Sequence, residues 1–218
     1  MNAVDGEPLP LTFPAVWCGF DLVRREYSTV PPLDPARFTG QFDWLDEPRH
    51  SDPNGEALVT ELGQALAAVG LALPQDFVTF HTHQPLRHLL INSSSCWGDL
   101  SLASKPLLPS PWERDAWLLR FLRDQQDCVT WYLYLRPDQT FVVHAYGLEF
   151  DDNHLEADEV SWCAPTFEQF AYRCWVEDRI ADLLDDGQNG LTGELENYLD
   201  FYRKRPADQW PSDWGNIR

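Results

Sequence analysis

Residues 117–146 read WLLRFLRDQQDCVTWYLYLRPDQTFVVHAY. The run TWYLYL (130–135) is rich in the aromatic residues that favour strands. Side chains alternate across a strand, so Trp131, Leu133 and Leu135 share one face and Tyr132 and Tyr134 the other. WLLRFL before it predicts a strand at 117–122, and FVVHAY predicts one at 141–146. Pro137-Asp138 suits the centre of a type I turn. With RDQQDC and RPDQ as connections, the stretch predicts a three-stranded antiparallel meander.

The flanks add helices and further strands. VSWCA (160–164) predicts another strand. Thr166-Phe167-Glu168-Gln169 is a capping box opening a helix over 167–184, with Phe167, Phe170, Ala171, Cys174 and Leu184 as its apolar stripe. Gly187 and Gly190 break that helix. A last one is expected over 193–204, carrying Leu195, Leu199 and Tyr202 and stopping before Pro206, and Trp210 and Trp214 are expected to pack. Upstream, Leu58, Leu62, Leu66 and Val69 recur at helical spacing over 54–70, with Asp52 or Asn54 as cap and Gly70 and Pro74 as stop. Pro74-Gln75-Asp76-Phe77 opens a second, short helix with Phe77 and Phe80 inward. RHLLIN (87–92) is a candidate strand. Ser110-Pro111-Trp112-Glu113 is a second capping box, expected to make one helical turn before the strand at 117–122.

Residues 1–53 hold eight prolines: Pro8, Pro10, Pro14, Pro31, Pro32, Pro35, Pro48 and Pro53. Each removes a ladder donor and fixes φ, so long elements cannot form there. Phe13, Trp17, Phe20, Phe38, Phe42 and Trp44 are too apolar for a free tail, so an irregular arm packed on the rest is expected, with room for a short strand at 15–23. The fold class expected is α+β: a single domain over 54–218, its antiparallel sheet carrying the helices at 54–70 and 167–184 on one face, with the arm over 1–53 and a C-terminal helix.

Composition bounds the function. With 44% hydrophobic and 23% charged residues among 218, the chain is globular rather than disordered. Sixteen Lys and Arg against 35 Asp and Glu give a net charge of −19. Such a chain repels phosphate backbones and anionic membrane surfaces, so neither nucleic acid nor membrane is expected as a partner. MNAVDGEPLP has no basic n-region or apolar h-region, and the longest apolar run, ALAAVGLAL (65–73), is too short to span a bilayer. A cytoplasmic location is the expectation. Cys18, Cys96, Cys128, Cys163 and Cys174 are odd in number and contain no C-x-x-C, which predicts thiols without disulfides.

No catalytic constellation emerges. His81-x-His83 with His88 lacks a Cys or carboxylate at metal-like spacing, so solvated loop histidines, and no metal or other cofactor, are expected. Ser93-Ser94-Ser95-Cys96 has no surrounding nucleophile elbow. Cys128 and His144 lie on neighbouring predicted strands but have no orienting third group. The run with Glu149, Asp151, Asp152, Glu156, Asp158 and Glu159 contains no Lys or Arg. It lacks the glycine that a calcium loop needs at its sixth position. It is read as a solvated loop or as a patch facing a basic partner. Trp131 and Trp175 are expected in the core, while Trp97, Trp112, Trp210 and Trp214 cover the sheet from loops and tail.

Four strings in order, LALPQDFVTF, LLRFLRDQQDCVTWYLYL, FVVHAY and CAPTFEQFAYRCWVEDRI, together resemble the SUKH superfamily over about residues 55–185. The nearest likeness is to a bacterial subgroup carrying the DQQ-C-x-x-WYL and FEQF-x-YRCWVED strings. The Asn-Gly loop usual after the first two helices of that superfamily is replaced here by His81 to Pro85. The resemblance implies a non-catalytic binding module, an immunity protein that neutralises a toxin, often a nuclease, by direct binding. An acidic protein is steered to a basic nuclease cleft and mimics its phosphate substrate, which agrees with the charge. A housekeeping scaffold and an enzyme of another type stay open beside it.

Overall fold

The computed structural model describes residues 13–91, 96–97, 100, 105–126, 128–146, 159–185, 191, 193–206, 210–211 and 214, with the backbone of 3–4 and 7–8. Among these, the chain begins with the two-residue strands β1 (Ala3–Val4), β2 (Glu7–Pro8), β3 (Val16–Trp17) and β4 (Arg25–Glu26). Helices α1 (Pro53–Ala67), α2 (Gln75–Thr82) and α3 (Gln84–Ile91) follow. Then come β5 (Cys96–Trp97), β6 (Leu107–Pro109), β7 (Trp117–Asp124), β8 (Val129–Leu135), β9 (Thr140–Tyr146) and β10 (Val160–Ala164). Helices α4 (Phe167–Asp185) and α5 (Glu194–Arg203) close the order.

The meander forms with the predicted alternation. Strands run β10-β9-β8-β7-β5, and β6 also pairs β7, all antiparallel. The turn between β8 and β9 closes with the Arg136 N–H on the Gln139 carbonyl at 2.9 Å. Trp131 is 0% exposed and packs its ring 6.4 Å from Phe170 of α4. On the opposite face Tyr134 meets Phe13 of the arm at 5.5 Å and Trp112 at 6.3 Å. Both faces are therefore covered, and β8 is buried along nearly its whole length.

Helix ends follow their capping chemistry. The Asp52 side chain accepts the Asn54 N–H at 3.1 Å and starts α1. Gly70, at φ 79°, turns the chain out of it while the Leu71 N–H reaches back to the Leu66 carbonyl at 3.0 Å. At α4 the Thr166 hydroxyl accepts the Gln169 N–H at 3.1 Å, as the capping box predicts. Gly55 lets α1 approach α2: a Cβ there would sit 1.7 Å from the His81 carbonyl oxygen.

Four local expectations are corrected. Residues 87–91 are helical, not a strand. Taking in Pro85 and Leu86 supplies the reason: proline suits a helix's first turn, and Leu86 and Leu89 stand three apart, with Leu86 fully buried. Val69 is 41% exposed rather than part of the inner stripe, because α1 ends at Ala67. The Ser110 hydroxyl accepts the Trp112 and Glu113 N–H groups, both at 3.2 Å, yet the segment is a turn and not helical. Within 15–23 only Val16–Trp17 is a strand.

The arm does more than lie on the surface. Ala15 bridges Trp162 in parallel at the β10 edge, which blunts an otherwise open sheet edge. Phe13 then packs on the Tyr134 face, while Trp17 packs on Phe170 at 5.7 Å. Helix α4 is thus enclosed by sheet, arm and C-terminal segment. A second core of Leu33, Tyr172, Val176, Ile180, Tyr198, Leu199, Tyr202 and Trp214 lies on its far side. Trp214 is buried there, against Tyr202 of α5 at 5.1 Å rather than over the sheet where it is expected, and Trp175 is half-buried between the two cores.

Candidate functional site

Glu149, Asp151, Asp152, Glu156 and Asp158 of the predicted acidic patch lie outside the described residues, as do Ser93, Ser94 and Ser95. Glu159 is exposed on the turn that enters β10. Val129 pairs with Tyr146, and Val160 pairs with Ala145, so β9 ends and β10 begins at the same end of the sheet.

The histidines are corrected. His81 belongs to α2 and is 7% exposed, packed against the rings of Phe77 at 4.3 Å, Phe80 at 5.0 Å and Phe167 at 6.0 Å. Among the described residues, neither ring nitrogen has a hydrogen-bond partner. Burial, helped by the nearby Arg87 charge, pushes its pKa down to about 3, so it is a neutral core ring. His83 caps α2 and is half-buried, its Nδ1–H donating to the Thr79 carbonyl at 2.8 Å. His88 lies in α3. No group of three His, Cys, Asp or Glu among the described residues is arranged to hold a metal.

Cys128 and His144 do not meet. Trp131 is the residue opposite His144, three positions past Cys128, or about 10 Å along the strand. Cys128 is exposed and bonds locally to the Gln126 carbonyl. His144 is fully buried and its Nε2–H donates to the Val16 carbonyl of the arm at 3.2 Å. Burial and then the Arg24 charge lower its pKa to about 3. Cys18 is held as a thiol by burial, its pKa pushed up to about 12, and burial moves Cys163 and Cys174 the same way. Such groups are packing, not nucleophiles.

Buried acids gather at two places along α4. At its N-terminus, Asp76 accepts the Glu168 N–H at 2.9 Å and its own neighbour's, Phe77, at 2.8 Å. Glu168 accepts the Gly40 and Phe42 N–H groups, both at 2.6 Å, and the Trp44 indole at 3.1 Å. Both carboxyls line a cleft of about 270 Å³ between the 38–40 turn and the start of α4. Burial raises both pKa values against those donors. Every oxygen of the pair already serves a backbone or indole N–H, so its work is to fasten the arm and cap the helix.

Two turns on, Glu177 accepts the Trp17 indole at 3.0 Å and the Tyr198 hydroxyl at 2.8 Å. Arg173, 0% exposed, donates to the Tyr198 hydroxyl at 3.3 Å and the Tyr27 hydroxyl at 3.4 Å. Its guanidinium also lies 5.0 Å from the Tyr27 ring and 5.7 Å from that of Trp17. Beside them Arg25 pairs with Asp21, both buried. The sequence carried a signal for this junction: in FEQFAYRCWVEDRI (167–180) charges fall on every turn among aromatics, too densely for one solvent face. Comparison with protein-family models, with curated proteins and with solved structures finds no match.

Proposed function

We propose that the chain is a non-catalytic protein-binding module whose acidic surface engages a basic protein, in the manner of a SUKH-like immunity protein neutralising a toxin. The segregation of charge is the observation that carries this. Arg25 and Arg173 are buried, and Arg37, Arg49, Arg87, Arg136 and Arg203 sit in ion pairs with the chain's own carboxylates. Asp52, Asp76, Asp124, Glu168 and Glu177 are buried as well, so most but not all of the net charge of −19 is left to the surface. Asp34, Asp43, Asp46 and Glu47 are exposed along one stretch of the arm, and Glu159 is exposed at the β10 edge. A field of one sign steers an oppositely charged partner and speeds encounter more than it deepens affinity.

The test is titration calorimetry and association kinetics against the product of the gene beside this one, at low and high salt. Binding should be stoichiometric, and its on-rate should fall with salt, since charges are screened beyond about 10 Å at 0.1 M. Reversing Asp151, Asp152, Glu156, Asp158 and Glu159 to Lys should slow association more than it speeds dissociation. An on-rate indifferent to both salt and charge reversal would remove the acidic surface from the function.

A further inference from the structure

The cleft at the head of α4 has room for more than the bonds that fasten the arm. Its floor carries the Asp76 and Glu168 carboxyls, and its walls are the apolar Phe38, Pro74 and Phe167. Thr39, Thr140 and Thr166 add hydroxyls, and among the described residues no Lys, Arg or His lines it. Thr39 and Gln75 are exposed, so the mouth faces solvent, and the Phe38 wall is half-buried. The Gly40, Phe42, Phe77 and Glu168 N–H groups and the Trp44 indole all end on the two carboxyls and favour their ionised forms, against the burial that opposes them. The α4 N-terminus supplies the equivalent of only about half a positive charge. Two carboxylates against that half leave the cleft short of one cation. A carboxylate offers about four acceptor sites, and Glu168 fills three of them.

Size and wall chemistry narrow the cation. A cavity of about 150 Å³ admits benzene, so one of about 270 Å³ has room for a guanidinium and the stem behind it. An ammonium is compact and strongly hydrated, whereas a guanidinium is more weakly hydrated, stacks on aromatic faces and meets carboxylates with several donors. We propose that this cleft is the anchor point for an arginine side chain of a basic protein partner, its guanidinium on Asp76 and Glu168 and its stem against Phe38 and Pro74. The inference rests on the reading that the chain binds a basic protein, and gives that reading a defined contact. Asp34, Asp46 and Glu47, exposed on the same stretch of the arm, steer a basic segment toward it.

The test is a nitrogen–proton NMR titration of the full chain with N-acetyl-arginine amide, and with N-acetyl-citrulline amide as its neutral match in shape. The arginine probe should shift the amides of Thr39, Gly40, Gln75 and Thr140 and saturate. The citrulline probe should bind roughly tenfold more weakly, because hydrogen bonds between charged groups are the strong ones. Glu168→Gln should weaken the arginine probe by a similar factor. Should Glu168→Gln not fold, the contrast between the two probes on the unaltered chain decides alone. Equal binding of both probes, shifts that never saturate, or shifts centred on Asp34, Asp46 and Glu47 overturn the anchor. The titration needs no partner protein. If it fails while the product of the neighbouring gene still binds, the anchor falls and the acidic surface stands. If the arginine probe binds and that product does not, the cleft stands and the partner reading falls.

Discussion

Helix α4 is shared by two cores of different chemistry. Toward the sheet it meets Trp131, Phe121 and the aliphatic residues of β7–β10, packed by shape and area. Away from the sheet it meets the arm, α5 and the tail through Leu33, Tyr198, Tyr202 and Trp214, with Arg173 and Glu177 buried beside them. The difference follows from the backbone on each side. Strands satisfy their own N–H and C=O groups by pairing, so their side chains are free to be apolar. Among the described residues, the arm has only two-residue strands, three-residue 3-10 helices and turns, and its backbone borrows partners from side chains. Gly40 and Phe42 donate to Glu168, while the Val16 and Cys18 carbonyls accept from His144 and the Trp131 indole. Irregular chain is held by directional bonds because it has no ladder of its own.

Four changes set the two cores against each other. Trp131→Ala should cost the most, about 3–5 kcal/mol, since it opens a cavity in the sheet core and leaves the Cys18 carbonyl only the weak Cys163 thiol donor. Chemical denaturation followed by far-ultraviolet dichroism would register it as one shift of the whole transition. Loss confined to the arm would show that the cores unfold separately.

Glu168→Ala comes next, at about 2–4 kcal/mol, because three donors of the arm lose their acceptor in a buried place. Exchange of the Gly40 and Phe42 amides should quicken far more than that of β8. Equal loss in both would mean that Glu168 supports the sheet as well.

Acid should act on the sheet core through its histidines. The folded pKa of His81 is about 3, below its usual 6.5, so the stability it brings is present above pH 6.5 and is lost as pH falls toward 3. Between pH 6.5 and 4.5 that amounts to about 2–3 kcal/mol from this residue. His81→Phe should flatten this acid limb, and an unchanged slope would place the acid sensitivity elsewhere, with His144 first.

The smallest effect is expected outside both cores. Arg203→Ala removes exposed pairs with Glu196 and Asp200 and should cost below about 1 kcal/mol. A thermal shift as large as that of Glu168→Ala would mean that α5 depends on its surface charges rather than on Tyr198, Leu199 and Tyr202.

Legibility in the sequence followed the same division. The meander was readable because period-two alternation and a Pro-Asp turn are local signals, as is the capping box at Thr166; the one at Ser110 makes its bonds without the helical turn expected of it. The strand expected over 87–92 failed by starting one residue late: Leu86 belongs to the pattern and turns a short apolar run into a helix face. His81 was misread because a polar residue beside two phenylalanines gives no local sign that Phe167, 86 positions later, will cover it.

The chain's own letters determined the α+β class, the order of its sheet strands from 117 onward, the start of α1, the bounds of α4 to within a residue, and a net charge of −19. These are set by dihedral preference, side-chain period and counting, which need no knowledge of what lies across space. Tertiary structure alone decided that α4 would be buried on nearly every side. It also set His81 and His144 as neutral rings, bound the arm at Glu168 and Glu177, and left Cys128 apart from His144. Each depends on two segments separated by up to 160 positions arriving at one place, as Trp17 and Glu177 do. Burial, and the pKa and hydrogen-bond choices that follow from it, belong to that meeting and to neither segment alone.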